Sequence, residues 1–217
     1  MKILFCKISS MKYYKGHCIE DMPRFGGEYV DENGFGHEEY NFMPIPMEDE
    51  DGPQCVGFVE PKSNRGVRNT LHLENIDGCR LCAKEECVSG VLVVWCAKRE
   101  IGMTRSGAPK YGITVVGWYK NACVWRDLQG WVLVRDGAEE ERCFNVMAAA
   151  EDCVLLPDGR RNWHGWNVPL AKNTKTCGFG QAMVWYAAEP QAQDYVQRLV
   201  QAIEEYSGEN WLNEYPG

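Results

Sequence analysis

Two stretches decide the fold: Ser89-Gly90-Val91-Leu92-Val93-Val94-Trp95-Cys96-Ala97, and Ile113-Thr114-Val115-Val116-Gly117-Trp118-Tyr119 running on to Arg126. Val91 to Ala97 is unbroken apolar sequence rich in β-branched residues, bounded by Gly90 before it and by Lys98-Arg99-Glu100 after it. A run of that length and composition predicts a strand buried on both faces rather than a helix. Between the two stretches lie Gly102, Ser106-Gly107 and Pro109, all turn formers, so the second run is expected to return beside the first as a hairpin. Gly117 interrupts the second run. A glycine inside a strand marks a bulge, or a place where a ligand or another backbone comes close.

Working outward, residues 2 to 8 predict an opening strand that ends at Ser9-Ser10. Asn33-Gly34 is a turn signal, with Tyr29-Val30 and Tyr40-Asn41-Phe42 as its flanking strands. Cys55 to Glu60 reads as a further strand, and Trp131 to Val134 as another after a turn at Gln129-Gly130. Residues 138 to 152 fit either strand or helix, the run Ala148-Ala149-Ala150 favouring helix. Ala182 to Ala187 predicts the last strand. After Pro190, the residues Ala192, Tyr195, Val196, Leu199, Ile203 and Tyr206 recur at helical spacing until Ser207-Gly208. The pattern gives one α+β domain over 1–217 with a curled β core, interrupted by a glycine- and aromatic-rich loop region around 22–52.

The chain has 217 residues, 45% hydrophobic and 25% charged, which suits one globular domain. Its net charge of −8 opposes binding of nucleic acid by bulk attraction to phosphate. Any nucleic-acid reading therefore needs a local basic patch joined to a base pocket. Met1 to Ile8 is too short and interrupted for a secretory signal, and no stretch is long and apolar enough to span a bilayer. Eleven cysteines without an export signal are expected to be reduced thiols in a cytoplasmic protein.

Cys79-Arg80-Leu81-Cys82 with Cys87 offers one CxxC pair and a third thiol for a structural zinc, for which His72, Cys55 or another distant residue would have to complete the set. Among eleven scattered cysteines a chance CxxC pair is the more ordinary reading, so no cofactor is expected. No G-x-S-x-G, P-loop or HExxH motif is present. His37-Glu38-Glu39 could supply acid–base groups or metal ligands, but acidic loop residues are usually only solvated. The aromatic and amide residues point elsewhere. Tyr29, Tyr40, Trp118 and Tyr119 fall in or near stretches that carry Asn33, Asn41, Asn121, Gln181 and Ser10. A flat heteroaromatic ligand needs ring faces to stack on and a few polar groups along its edge. Most aromatics in any chain are packing alone.

The order of these pieces resembles the PUA-like superfamily, in its EVE and YTH branches. Phe5-Cys6-Lys7-Ile8-Ser9-Ser10 resembles the first strand and its turn, Val91 to Ala97 the second piece, and Val115-Val116-Gly117-Trp118-Tyr119 the third. Gly26-Gly27-Glu28-Tyr29 through Glu39-Tyr40-Asn41-Phe42, with Gly180-Gln181 and Val184 to Ala187, is similar to N-terminal modules of HNH modification-dependent restriction enzymes. The resemblance implies a small β-barrel flanked by helices, whose pocket takes a modified base flipped from nucleic acid. It places Ser9 and Ser10 at the post-strand turn and Trp118 on the glycine-bearing strand. Lys12, Lys15, Arg160 and Arg161 would form a positive rim for the backbone. A separate nuclease subunit is an implied partner.

The resulting expectation is a non-catalytic reader of a modified base. The alternatives are a small enzyme using Cys, His37 or Glu38, and a protein-interaction module whose aromatics serve an interface.

Overall fold

The computed structural model describes residues 1–27, 32, 34–47, 50–61, 69–135 and 137–216. Tyr29 and Asn33 of the expected ligand set lie outside the described residues, as does the Tyr29-Val30 strand. Among the described residues nine strands follow in chain order: β1 (Ile3–Ile8), β2 (Pro44–Ile45), β3 (Gln54–Gly57), β4 (Cys87–Met103), β5 (Pro109–Arg135), β6 (Ala138–Ala149), β7 (Cys153–Leu155), β8 (Asn167–Val168) and β9 (Val184–Trp185). The main helix is α1 (Gln193–Glu204), and a single helical turn covers Ala171–Thr174. No helix among the described residues is long and apolar enough to cross a membrane.

The order of strands across the sheet is β2-β3-β6-β5-β4-β1-β9, with β7 and β8 also pairing to β5. β1 lies parallel to β4, and β4, β5 and β6 are successively antiparallel. The sheet is open, which corrects both the expected α+β class and the closed barrel. Its outer strands, β2 and β9, do not pair with each other. The reason lies in β5. Its 27 residues would extend roughly 90 Å if straight, against a radius of gyration of about 17 Å for a chain of this length. The strand bends at register shifts and at Asn121 (φ 52°), where asparagine tolerates the left-handed conformation. Before the bend, β5 pairs with β7 and β8 on the side away from β4; after it, with β6. The sheet therefore branches along β5 instead of closing.

The two-sided burial expected of the first apolar run is present. Val91, Val93, Trp95 and Ala97 face one core, while Leu92, Val94 and Cys96 face another. The second core is covered by α1, whose Val196, Leu199 and Ile203 are buried against it. Burying such side chains stabilises the docked helix by ~1.5–3 kcal/mol each.

Several local expectations are overturned. Residues 98–112 are mostly strand, because β4 and β5 run on as an exposed ribbon and turn only near 104–108. Gln129-Gly130 is inside β5 and not a turn. Tyr40 closes a 3-10 turn (His37–Tyr40) rather than opening a strand. Ala148 and Ala149 end β6, since pairing with Cys55 and Gln54 overrides their helix propensity.

Arg126 organises the cysteine-rich loop ahead of β4. Its guanidinium donates to the carbonyls of Glu85, Leu71 and Cys82 at 3.2, 3.2 and 3.0 Å, and to the Glu74 carboxylate at 3.0 Å. The Glu74 carboxyl is lowered to about 2, first by its own backbone N–H, then by His72 and Arg126. A depressed carboxyl contributes stability above its unfolded value of 4.5 and loses it as pH falls towards 2. Amide exchange over residues 71–86 is therefore expected to accelerate selectively between those pH values, after correction for intrinsic rates. Uniform acceleration over the whole sheet would refute this local role.

Candidate functional site

The residues expected to converge on one pocket are divided between the faces of the sheet. Trp118 and Tyr119 are neighbours on β5, so they point to opposite sides. Trp118 packs against Trp166 and Tyr206 at centroid distances of 5.6 and 5.4 Å. Tyr119 meets Phe42 and Trp95 at 5.5 and 5.3 Å on the other face. Both are buried, in separate cores. Gly117 marks a close backbone, as one sequence reading held: a Cβ there would lie 2.3 Å from the Val154 carbonyl oxygen and 2.6 Å from the Phe42 ring.

The other expected residues split in the same way. Asn41 is fully buried and clamps Phe58, accepting from its N–H at 2.9 Å and donating to its carbonyl at 3.2 Å. Asn121 sits at the bend and donates to Asp152 at 3.0 Å. Tyr40 is buried beside Arg142, whose guanidinium lies 5.1 Å from its ring. Ser9 is buried, and its N–H donates to Glu38 at 3.3 Å.

Two of the four rim cations are structural. Arg161, fully buried, donates to the carbonyls of Leu156, Met11 and Lys12 at 2.8, 2.7 and 2.6 Å. Burial lowers it to about 10. Lys15 donates to the carbonyls of Phe42 and Leu212, and burial lowers it to about 8. Lys12 and Arg160 are exposed.

The acidic triplet is also reorganised. Glu39 has a fully buried side chain, receives His17 Nδ1 at 2.7 Å and lies 3.9 Å from Arg142. Glu38 is buried too, and burial raises its carboxyl above the ordinary range. These acids are not solvated loop residues. Cys87 opens β4 opposite Trp125, on the face that also carries Cys123. Among the described residues no group of three His, Cys, Asp or Glu is placed to hold a metal ion.

Exposed rings and cations meet instead at the root of the β4–β5 ribbon. Where β4 leaves the core after Ala97, Lys98 emerges on its surface. Its ammonium lies 4.6 Å from the Phe25 ring and 5.1 Å from the Tyr111 ring. The two rings meet edge-on at 5.5 Å, and Phe25 and Tyr111 remain 43% and 45% exposed. β8 pairs with Ile113 and Thr114, which sets the following segment beside β5. That segment is closed on itself by Ala171 N–H to Phe179 O and Phe179 N–H to Pro169 O, both 2.9 Å. It carries Lys172, Phe179 and Gln181 to the cleft.

On one side of Tyr111 is an open cleft of about 690 Å³ lined by Lys98, Tyr111, Gly112, Ile113, Leu170, Lys172, Phe179, Gly180 and Gln181. Among the described residues its charged lining groups are both lysines, and the Lys7 ammonium stands 5.7 Å from the Phe179 ring. On the other side is a cleft of about 650 Å³, where Lys12, Arg24 and Arg99 face Glu20, Asp21, Glu100 and Asp158. Those acids are partly committed: Asp21 accepts the Tyr13 N–H at 2.7 Å, and Asp158 pairs with Arg99 at 2.6 Å. Burial works to raise the Asp158 carboxyl, but Arg99 outweighs it and holds it below the usual range.

The first cleft can hold an anion against its ammonium groups, a ring against Tyr111, and a polar edge at Gln181. Of the residues expected from sequence, Gln181 lies in this cleft, and Ser10 and Lys12 in its neighbour. Lys98, Tyr111, Phe25 and Lys172 were missed. Period-two alternation continuing past Ala97 would have signalled that residues 98–103 are strand. Comparison with family models, with curated proteins and with solved structures finds no match.

Proposed function

We propose that the protein binds a nucleic-acid strand across the Phe25–Tyr111–Lys98 ridge, with one unstacked base in the lysine-lined cleft. The observation that carries this reading is charge segregation: in a chain of net charge −8, the charged groups lining this cleft among the described residues are both cations. Both neighbouring rings stay half in solvent at the ribbon root. A cleft of about 690 Å³ is of the size that accommodates a nucleotide-sized ligand. Lys98 and Lys172 would neutralise phosphate, Tyr111 would stack a base and Gln181 would bond its edge. A modified base belongs to the same class of ligand, read by its edge and its ring face.

Fluorescence anisotropy with short labelled single strands, carrying unmodified or methylated bases, tests the reading at several salt concentrations. Tyr111→Ala is expected to weaken binding by ~1–3 kcal/mol, the range for one stacked base. The double substitution Lys98→Glu with Lys172→Glu is expected to weaken it uniformly across sequences and to flatten the salt slope by about 1–2. Absence of binding by the native chain at low salt, or full binding by the double variant, rejects this reading. A difference between modified and unmodified strands would show that the cleft reads the modification.

A further inference from the structure

Away from the clefts, much of the reactive chemistry of this chain lies in its thiols. All eleven cysteines are free. Cys6, Cys55, Cys96 and Cys153 are fully buried, out of reach of a soluble reagent. Cys87 and Cys123 differ from these: Cys87 is exposed and Cys123 half-buried, and they lie on adjacent strands. In the β4–β5 ladder Cys87 pairs with Trp125 and Val88 with Val124. The ladder then slips, so that Ser89 and Gly90 together oppose Cys123 before Val91 meets Ala122. Alternation sets Cys87, Trp125 and Cys123 on one face. A bulge of two residues against one increases the local twist, and it lies between the rungs that carry Cys87 and Cys123, which are diagonal neighbours on that face. The Ser89 hydroxyl donates to Cys123 Sγ at 3.6 Å.

The geometry points to Cys87 and Cys123 as a modification site, at which exchange with a small-molecule disulfide closes a bond between β4 and β5. The exposed Cys87, as thiolate, attacks one sulfur of the reagent RS–SR. A Cys87–SR bond forms and RS⁻ leaves, taking up a proton. Cys123 then gives up its proton and attacks Cys87 Sγ, so that the second RS⁻ departs as RSH. Two protein thiols are oxidised and one disulfide is reduced to two thiols. Burial, with the nearby Cys87, holds the Cys123 thiol above its ordinary value, consistent with Cys87 attacking first. The bond would pin the chain at the point where the Arg126-held loop enters β4.

Oxidised glutathione is the probe. The folded protein is treated, acid-quenched, alkylated and digested with trypsin. The expected product joins residues 85–98 to residues 121–126, two hydrogens lighter than the sum of the free peptides and separated again by dithiothreitol. Cys87→Ser should abolish the joined product. Cys96→Ser should retain it, which excludes the second cysteine of the longer peptide. Residues 85–98 carrying one glutathione while Cys123 remains alkylated would overturn the assignment. So would a joined product that survives Cys87→Ser, or a bridge forming first at Cys79 and Cys82.

Discussion

Replacing Arg161 by methionine is expected to lower stability by ~3–5 kcal/mol, the range for removing one partner from a buried charged network. For a domain of this size that is a fall of about 6–20 °C in melting temperature, measured by calorimetry or circular dichroism. The side chain is fully buried and satisfies three carbonyls from two separate segments, Leu156 on one side and Met11 and Lys12 on the other. Methionine approximates its length but offers no donor, leaving those carbonyls without their partner. Arg161→Lys should recover only part of the loss, since one ammonium cannot reproduce the planar fork. A variant melting within a degree of the native chain would show that water takes over all three bonds.

Gly117→Ala is expected to be nearly as damaging, by ~3 kcal/mol, because a Cβ there has no room. It would stand 2.3 Å from the Val154 carbonyl oxygen and 2.6 Å from the Phe42 ring, so either β7 or the ring must shift. Phe42 packs on Tyr119 and Tyr14, and its displacement opens the core under the loop that follows β1. Thermal unfolding of Gly117→Ala beside Gly130→Ala provides the comparison, since a Cβ at Gly130 meets nothing within 4 Å. Equal effects at the two positions would discard the close-approach explanation.

How much was legible in the sequence follows from these particulars. Val91 to Ala97 could be read as a two-faced strand because so apolar a run needs cover on both sides. The opposite facing of Trp118 and Tyr119 was also readable from period-two alternation, yet both were assigned to one pocket. Arg161 and Lys15 were taken for phosphate contacts because a basic residue in a loop looks the same in sequence whether it meets a phosphate or a carbonyl. Only the fold decides that, through chain segments far apart in sequence. Lys98 and Tyr111 were hidden by turn formers that mark a short bend near 104–108, not an extended loop. Gln181 and Ser10, expected as ligand contacts, and Lys12, expected as a backbone contact, line two separate clefts instead of one.

The length of β5 has a last consequence. Because one continuous strand serves as a rail for both branches of the sheet, neither branch has a private framework. Severing the chain anywhere from Pro109 to Arg135 would strip hydrogen-bonded neighbours from fragments on both sides of the cut. β5 therefore offers no seam at which evolution or an engineer could divide the chain, whereas new segments are accommodated at the ribbon tip near 104–108.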